Sequence, residues 1–208
     1  MARLIYVMDP MCSWCWGFSP VAARLAEQAA ASGVSSEWRV GGLRRGGAAL
    51  DPAKRAYILE HWQAVAQTSG QPFRREEAMP SGFVYDTEPA CRALVAVRQL
   101  APELVPAAAH NIQQAFYAQG QDVTRANVLA ACVEAAGVPA IEFVDVFDST
   151  TCRAATEADF AWVERLGISG FPTVLLEHND QLALLTNGYR AFDELSPLLA
   201  RWLQQLAT

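Results

Sequence analysis

Met8-Asp9-Pro10-Met11-Cys12-Ser13-Trp14-Cys15-Trp16-Gly17-Phe18 is the stretch on which the fold turns. Before it, Leu4 to Met8 is apolar and rich in β-formers. After it, from Ser13 to Ala31, the apolar residues Phe18, Val21, Ala22 and Leu25 recur at helical spacing until Gly33 stops the run. A strand therefore feeds directly into a helix, with two cysteines at the junction. Residues three apart in a first helical turn share a face, which brings both thiols within reach of one disulfide. The two sulphurs are not equivalent. Cys12 sits where the unpaired N–H groups of the helix start point, which favours its thiolate, whereas Cys15 lies one turn deeper. Cys12 is expected to be the exposed, attacking thiol, and Cys15 the shielded thiol that resolves a mixed disulfide.

Outward from this junction, Ser36 to Leu43 reads as a second strand ending at Gly41-Gly42. From Asp51 to about Leu166 the β signals nearly vanish, and a helical composition broken by Pro72, Pro80, Pro89, Pro102, Pro106 and Pro139 predicts five or six helices. Within that block only Ser81 to Tyr85 has extended character. Thr173 to Glu177 and Leu182 to Thr186, joined by His178-Asn179-Asp180, read as a β-hairpin. Ala191 to Leu206 closes the chain as an amphipathic helix with Asp193 and Glu194 in its first turn. Two-stranded pieces are marginal alone, so both β portions must join one sheet and the helical block must be an insertion. The expected division is an α/β domain of residues 1–48 plus 155–208, with an inserted helical domain at 49–154.

Composition narrows the chemistry. A chain of 208 residues with 52% hydrophobic residues can build a substantial core, and a net charge of −6 offers no general attraction to nucleic acid or anionic lipid. The first apolar run is too short for a signal peptide's core, and none approaches the ~20 residues of a membrane span, so a cytoplasmic protein is expected. The five cysteines lack the paired spacing of a secreted disulfide scaffold. Zinc is disfavoured too, because no second Cys-x-x-Cys follows and His61, His110 and His178 are scattered singly. No metal site is expected. Cys132 reads as a packing residue; Cys91, at a helix start, reads as packing before a reactive thiol of the Cys12 kind, and Cys152, at another, fits either packing or chemistry.

The second signal is Gly167-Ile168-Ser169-Gly170-Phe171-Pro172-Thr173, just before the third strand. A proline opening a strand beside two glycines is a candidate for a cis peptide bond. If it faces the cysteines, the Phe171 backbone can pair with an extended substrate. Ser13, Trp14, Trp16 and Phe171 are the residues expected to touch substrate, the two indoles serving either as an apolar platform or as packing. Arg44 and Arg45, after Gly41-Gly42-Leu43, are candidates for holding an anionic group such as a glutathione carboxylate, or are simply solvated.

Taken in order, strand, Cys-Ser-Trp-Cys, helix, long helical insertion, Gly-Phe-Pro-Thr, hairpin and final helix resemble the DsbA-like branch of the thioredoxin superfamily. The resemblance is strongest to its FrnE-like members, predicted protein disulfide isomerases. It implies a thioredoxin fold with a large all-helical insertion, with Cys12 as nucleophile, Cys15 as resolving thiol, Pro172 as cis-proline and Pro20 as the proline that kinks the first helix. It further implies a thiol–disulfide oxidoreductase or isomerase acting on protein or low-molecular-weight disulfides, with no bound cofactor and with glutathione or another thiol admitted as co-substrate. Two features depart from the family. Many relatives carry an acid six residues before the nucleophile to assist proton transfer at the second thiol, where this chain has Tyr6; Asp9, the nearest carboxylate, either takes that part or caps the helix turn, and the cap is the favoured reading. The Ser-Trp dipeptide also differs from the Pro-His of strongly oxidising members. Two other functions stand beside this one. Similar relatives include glutathione-dependent isomerases and kappa-class transferases, but these carry serine for the nucleophilic cysteine and lack the second thiol. A binding module using Trp14, Trp16 and Phe171 would survive loss of both cysteines.

Overall fold

The computed structural model describes residues 2–206, the side chains of residues 75 and 76 excepted. Strands β1 (Ala2–Met8), β2 (Ser35–Val40), β3 (Thr173–His178) and β4 (Gln181–Asn187) form one sheet in the order β2-β1-β3-β4. β1 runs parallel to β2 and antiparallel to β3, and β3 pairs antiparallel with β4. The β segments from the two ends of the sequence thus complete one sheet, and the fold is the DsbA-like thioredoxin fold. Period-two alternation in β1 divides the layers. Leu4, Tyr6 and Met8 enter the main core with helix α1 (Ser13–Ala30), while Ile5 and Val7 meet Val163 and Leu175 on the other face. The hairpin turns through Asn179 and Asp180 at φ of 51° and 62°, a left-handed pair that such short side chains tolerate. β2 ends at Val40 rather than Leu43, because Gly42 takes φ +63° and turns the chain out of the sheet.

Between β2 and β3 lie α2 (Pro52–Ser69), the single turn α3 (Arg75–Ala78), α4 (Glu88–Leu100), α5 (Val105–Gln113), α6 (Ala126–Ala135), α7 (Ala140–Phe147) and α8 (Thr150–Arg165). These exceed the expected five or six because the prolines cut the block into shorter pieces, one of them a single turn. Ser81 to Tyr85 is irregular and pairs with no strand; Leu50 N–H bonds the Phe83 carbonyl instead, at 3.0 Å. The boundary expected at 154/155 falls inside α8, which runs unbroken and supplies Val163 to the second face of the sheet. Asp159 of α8, 1% exposed, receives Arg39 of β2 at 2.7 Å and Arg98 of α4 at 2.7 and 3.0 Å. This buried carboxylate is neutralised from both sides and ties the insertion to the sheet. The chain ends in α9 (Phe192–Leu206) against α1. Among the described residues no helix is long and apolar enough to cross a membrane.

Candidate active site

β1 delivers the chain to the site through a tight turn. The Cys12 N–H bonds the Asp9 carbonyl at 3.0 Å and the Met11 N–H bonds Asp9 Oδ1 at 2.8 Å. Cys12 is the residue preceding α1, extended at φ −87° and ψ 118°, and no side chain caps the helix. The first-turn N–H groups are therefore open to a negative charge on the Cys12 sulphur. That sulphur points across to the Phe171 carbonyl, 3.6 Å away, and the Phe171–Pro172 peptide is cis. The loop can approach this closely only because residue 41 is glycine: a Cβ there would stand 2.0 Å from Phe171 Cζ.

Cys12 faces a cleft of about 290 Å³ shared with Ser13, Trp14, Gly170 and Phe171. Its far wall comes from the insertion, with Tyr57, Ile58, His61 and Trp62 on α2 and Tyr85 beyond it. Trp14 Nε1–H donates to His61 Nε2 at 2.8 Å, which spans the cleft. Cys12 is only 7% exposed, less than its expected role as an exposed thiol suggested, because the Phe171 loop and this wall cover it. Trp16 takes no part in the cleft. Its indole is 2% exposed, donates to the Pro72 carbonyl at 3.1 Å and stacks on Tyr117, so of the two expected indoles only Trp14 meets the opening.

Cys15 lies on the other side of the turn, fully buried. Burial, and next the neighbouring Cys12 thiol, push its thiol well above the ordinary range. The Tyr6 hydroxyl beside it is buried without a hydrogen-bond partner of normal geometry, and burial raises its ionisation well above the ordinary phenol value. Asp9 does not cap α1. Its carboxylate is sealed in the interior, where Oδ2 accepts from Leu43 N–H at 2.7 Å, Thr87 Oγ1–H at 2.6 Å and the Cys91 thiol at 3.3 Å. Burial pushes this carboxyl up, and the donors from Thr87, Leu43, Met11 and Cys91 hold it back in part. Cys91 is buried as expected of packing, yet it also serves this carboxylate; Cys132 and Cys152 are buried away from the cleft. Among the described residues no group of three or more His, Cys, Asp or Glu side chains is arranged to hold a metal ion.

The structure thus brings Cys12, Cys15, Ser13, Trp14, Phe171 and Pro172 together from sequence positions that signalled them. Sequence reasoning missed the part played by α2 and the interior role of Asp9. The stripe Tyr57-Ile58…His61-Trp62 has helical spacing and is legible as one face; its destination is not.

Residues 3–200 match the model of the DSBA-like thioredoxin domain. The chain belongs to this family of DsbA-like thiol–disulfide oxidoreductases. Among solved structures it is similar to a candidate protein disulfide isomerase from Nitrosomonas europaea, 43% identical over 98% of each chain with a TM-score of 0.91. It is also similar to the cytosolic disulfide reductase DsbM from Pseudomonas aeruginosa, 28% identical over 98% of this chain and 99% of that one, TM-score 0.81. A second DsbM structure, with GSH, is 25% identical over 99% and 100% of the two chains, TM-score 0.77. The ClpXP adapter protein SpxH of Shouchella clausii (strain KSM-K16) is 21% identical over 192 residues, 89% of this chain and 61% of that protein, so the match spans less than two thirds of its length.

Proposed function

We propose that the chain is a thiol–disulfide oxidoreductase or isomerase in which Cys12 is the nucleophile, Cys15 the resolving thiol and Pro172 the cis-proline of the substrate loop. The observation that carries this is the placement of the Cys12 sulphur at the open start of α1, 3.6 Å from the Phe171 carbonyl, with Cys15 buried behind it. The Cys12 thiolate attacks one sulphur of a disulfide and displaces the other as a thiolate, which takes up a proton. Cys15 then gives up its proton and attacks Cys12 Sγ, so that the second substrate thiolate leaves and a Cys12–Cys15 disulfide remains. Two electrons pass from the dithiol to the substrate. Two molecules of glutathione, or of another thiol, return them and leave as the disulfide. When a substrate thiol attacks the mixed disulfide before Cys15 does, the outcome is isomerisation with no net electron transfer. The raised thiol of Cys15 suits a resolving group that stays protonated until it acts.

Ser13, Trp14 and Phe171 line the opening and are the residues assigned to substrate contact. Protein or low-molecular-weight disulfides are the substrate class. Glutathione as co-substrate and a cytoplasmic location are supported by likeness to the cytosolic reductase DsbM and its structure with GSH. The test is the redox equilibrium of the pair against glutathione buffers, read by acid quench, alkylation and peptide mapping. Cys12→Ser is expected to abolish disulfide turnover, and Cys15→Ser to accumulate a mixed disulfide on Cys12. A Cys12→Ser protein with full activity, or a pair that never forms a disulfide at any poise, overturns the proposal.

A further inference from the structure

Beside the Cys12 cleft lies a second one of about 370 Å³, formed where the chain passes from Arg44 through Gly46 and Gly47 to the start of α2. Arg44 and Tyr85 line both clefts, so the two openings share a wall. The cations here differ in what they are already bound to. Arg45 is committed to Glu157 and Glu164. Arg44 has no acidic partner among the described residues, and its buried Nε–H is without any acceptor, an exception among folded proteins that asks for an explanation. The residue is nonetheless held in place. Its N–H bonds Thr87 Oγ1 at 3.2 Å, its carbonyl accepts from the Thr87 N–H at 2.8 Å, and its guanidinium lies over the Tyr85 ring at 5.1 Å. Lys54 adds a second cation to the same cleft. The acid there, Asp51, uses one oxygen to accept the Lys54 backbone N–H at 2.9 Å.

We propose that Arg44, assisted by Lys54, is a carboxylate-binding subsite that selects glutathione-class disulfides for reaction at Cys12. This rests on the redox reading of Cys12 and Cys15 and gives that site its substrate class. A planar guanidinium with a free edge suits a carboxylate, which a lysine matches only as a point charge. In a tripeptide thiol the sulphur stands on the central residue, about 7 Å from a terminal carboxylate, a reach suited to two openings that share the Arg44 and Tyr85 wall. The reduced dithiol would attack glutathione disulfide, release one glutathione thiolate, and release the second when Cys15 closes the Cys12–Cys15 bond. The enzyme loses the two electrons that the disulfide gains.

The experiment is single-turnover oxidation of the fully reduced full-length protein by glutathione disulfide and, separately, by the uncharged hydroxyethyl disulfide, with acid quench and mass analysis. The readout is the ratio of the two second-order rate constants, which cancels any general damage to the thiols. Arg44→Gln is expected to lower the ratio about tenfold, the loss of one charge-assisted hydrogen-bonded contact. Arg44→Lys should recover part of it, and the wild-type ratio should fall with added salt more steeply than that of Arg44→Gln, in which Lys54 remains the cleft's cation. An unchanged ratio in Arg44→Gln, or one that is insensitive to salt in the wild type, overturns the subsite while leaving the dithiol chemistry standing. If neither compound oxidises the wild-type pair, the redox reading itself fails and the subsite falls with it.

Discussion

Cys12 and Cys15 stand one helical turn apart, in opposite surroundings. The Cys12 side is assembled from the ends of elements: the open start of α1, the carbonyl before a cis-proline and a cleft whose far wall is α2. The Cys15 side is interior, beside the Tyr6 hydroxyl and near the carboxylate of Asp9. The insertion builds much of both, giving α2 to the cleft and Thr87 and Cys91 to Asp9. A Cys-x-x-Cys pair thus acquires its asymmetry from distant segments, and the helical block completes the site as well as covering the sheet.

The largest expected effect tests that asymmetry directly. With the reduced protein at neutral pH, iodoacetamide should modify Cys12 to completion while Cys15 stays unmodified, because only one sulphur opens on the cleft and the other is both buried and held protonated. Peptide mapping at intervals separates the two. Equal rates at both sulphurs would dissolve the comparison.

A smaller effect comes from disturbing one side alone. Gly41→Ala places a methyl where Phe171 Cζ now lies, 2.0 Å from the new carbon, so the ring must leave its seat beside Cys12. Such overpacking costs roughly 1–3 kcal/mol. Denaturant unfolding should show the loss, and the Cys12 alkylation rate should shift while Cys15 remains protected. Unchanged stability together with an unchanged Cys12 rate would mean that the Phe171 seat does not govern the Cys12 side.

Most of the fold is legible in the sequence because it follows from local periodicity. β1 alternates, α1 and α9 carry apolar stripes, and the positive-φ turn at Asn179-Asp180 falls in the expected hairpin. The placement of Cys12, Cys15 and Pro172 is legible because they sit where one element gives way to the next. What could not be read depends on long-range closure. Asp9 looks like a helix cap when only its neighbours are considered, since the groups that draw it inward, Leu43, Thr87 and Cys91, are 34, 78 and 82 residues away. Trp14 and Trp16 are chemically alike in sequence, yet one reaches His61 across the cleft and the other the Pro72 carbonyl in the core. The π-turn at Gln114–Ala118, which helps carry Tyr117 towards Trp16, has a composition indistinguishable from ordinary helix.

The subtlest expected effect sharpens the comparison by pH. Burial raises the Cys15 thiol above its ordinary value, so above about pH 8.5, where a thiol in the unfolded chain begins to ionise, the native reduced protein still holds a proton that the unfolded chain has lost. Native stability from this group is complete below that pH and is lost as pH rises towards the folded-state value, at about 1.4 kcal/mol per pH unit for one proton. Cys91, Tyr6 and Tyr117 are raised in the same direction, chiefly by burial, and add to the alkaline loss in both redox states. The difference between states isolates the active pair, because a Cys12–Cys15 disulfide has no thiol to titrate. Denaturant unfolding at intervals from pH 8 to pH 10 should therefore show the reduced protein losing stability more steeply than the oxidised one. Parallel curves would place Cys15 in contact with solvent and make the two sulphurs alike. A steeper reduced curve also implies that alkaline pH drives the pair towards the disulfide, because closing it removes the thiol that the interior keeps protonated.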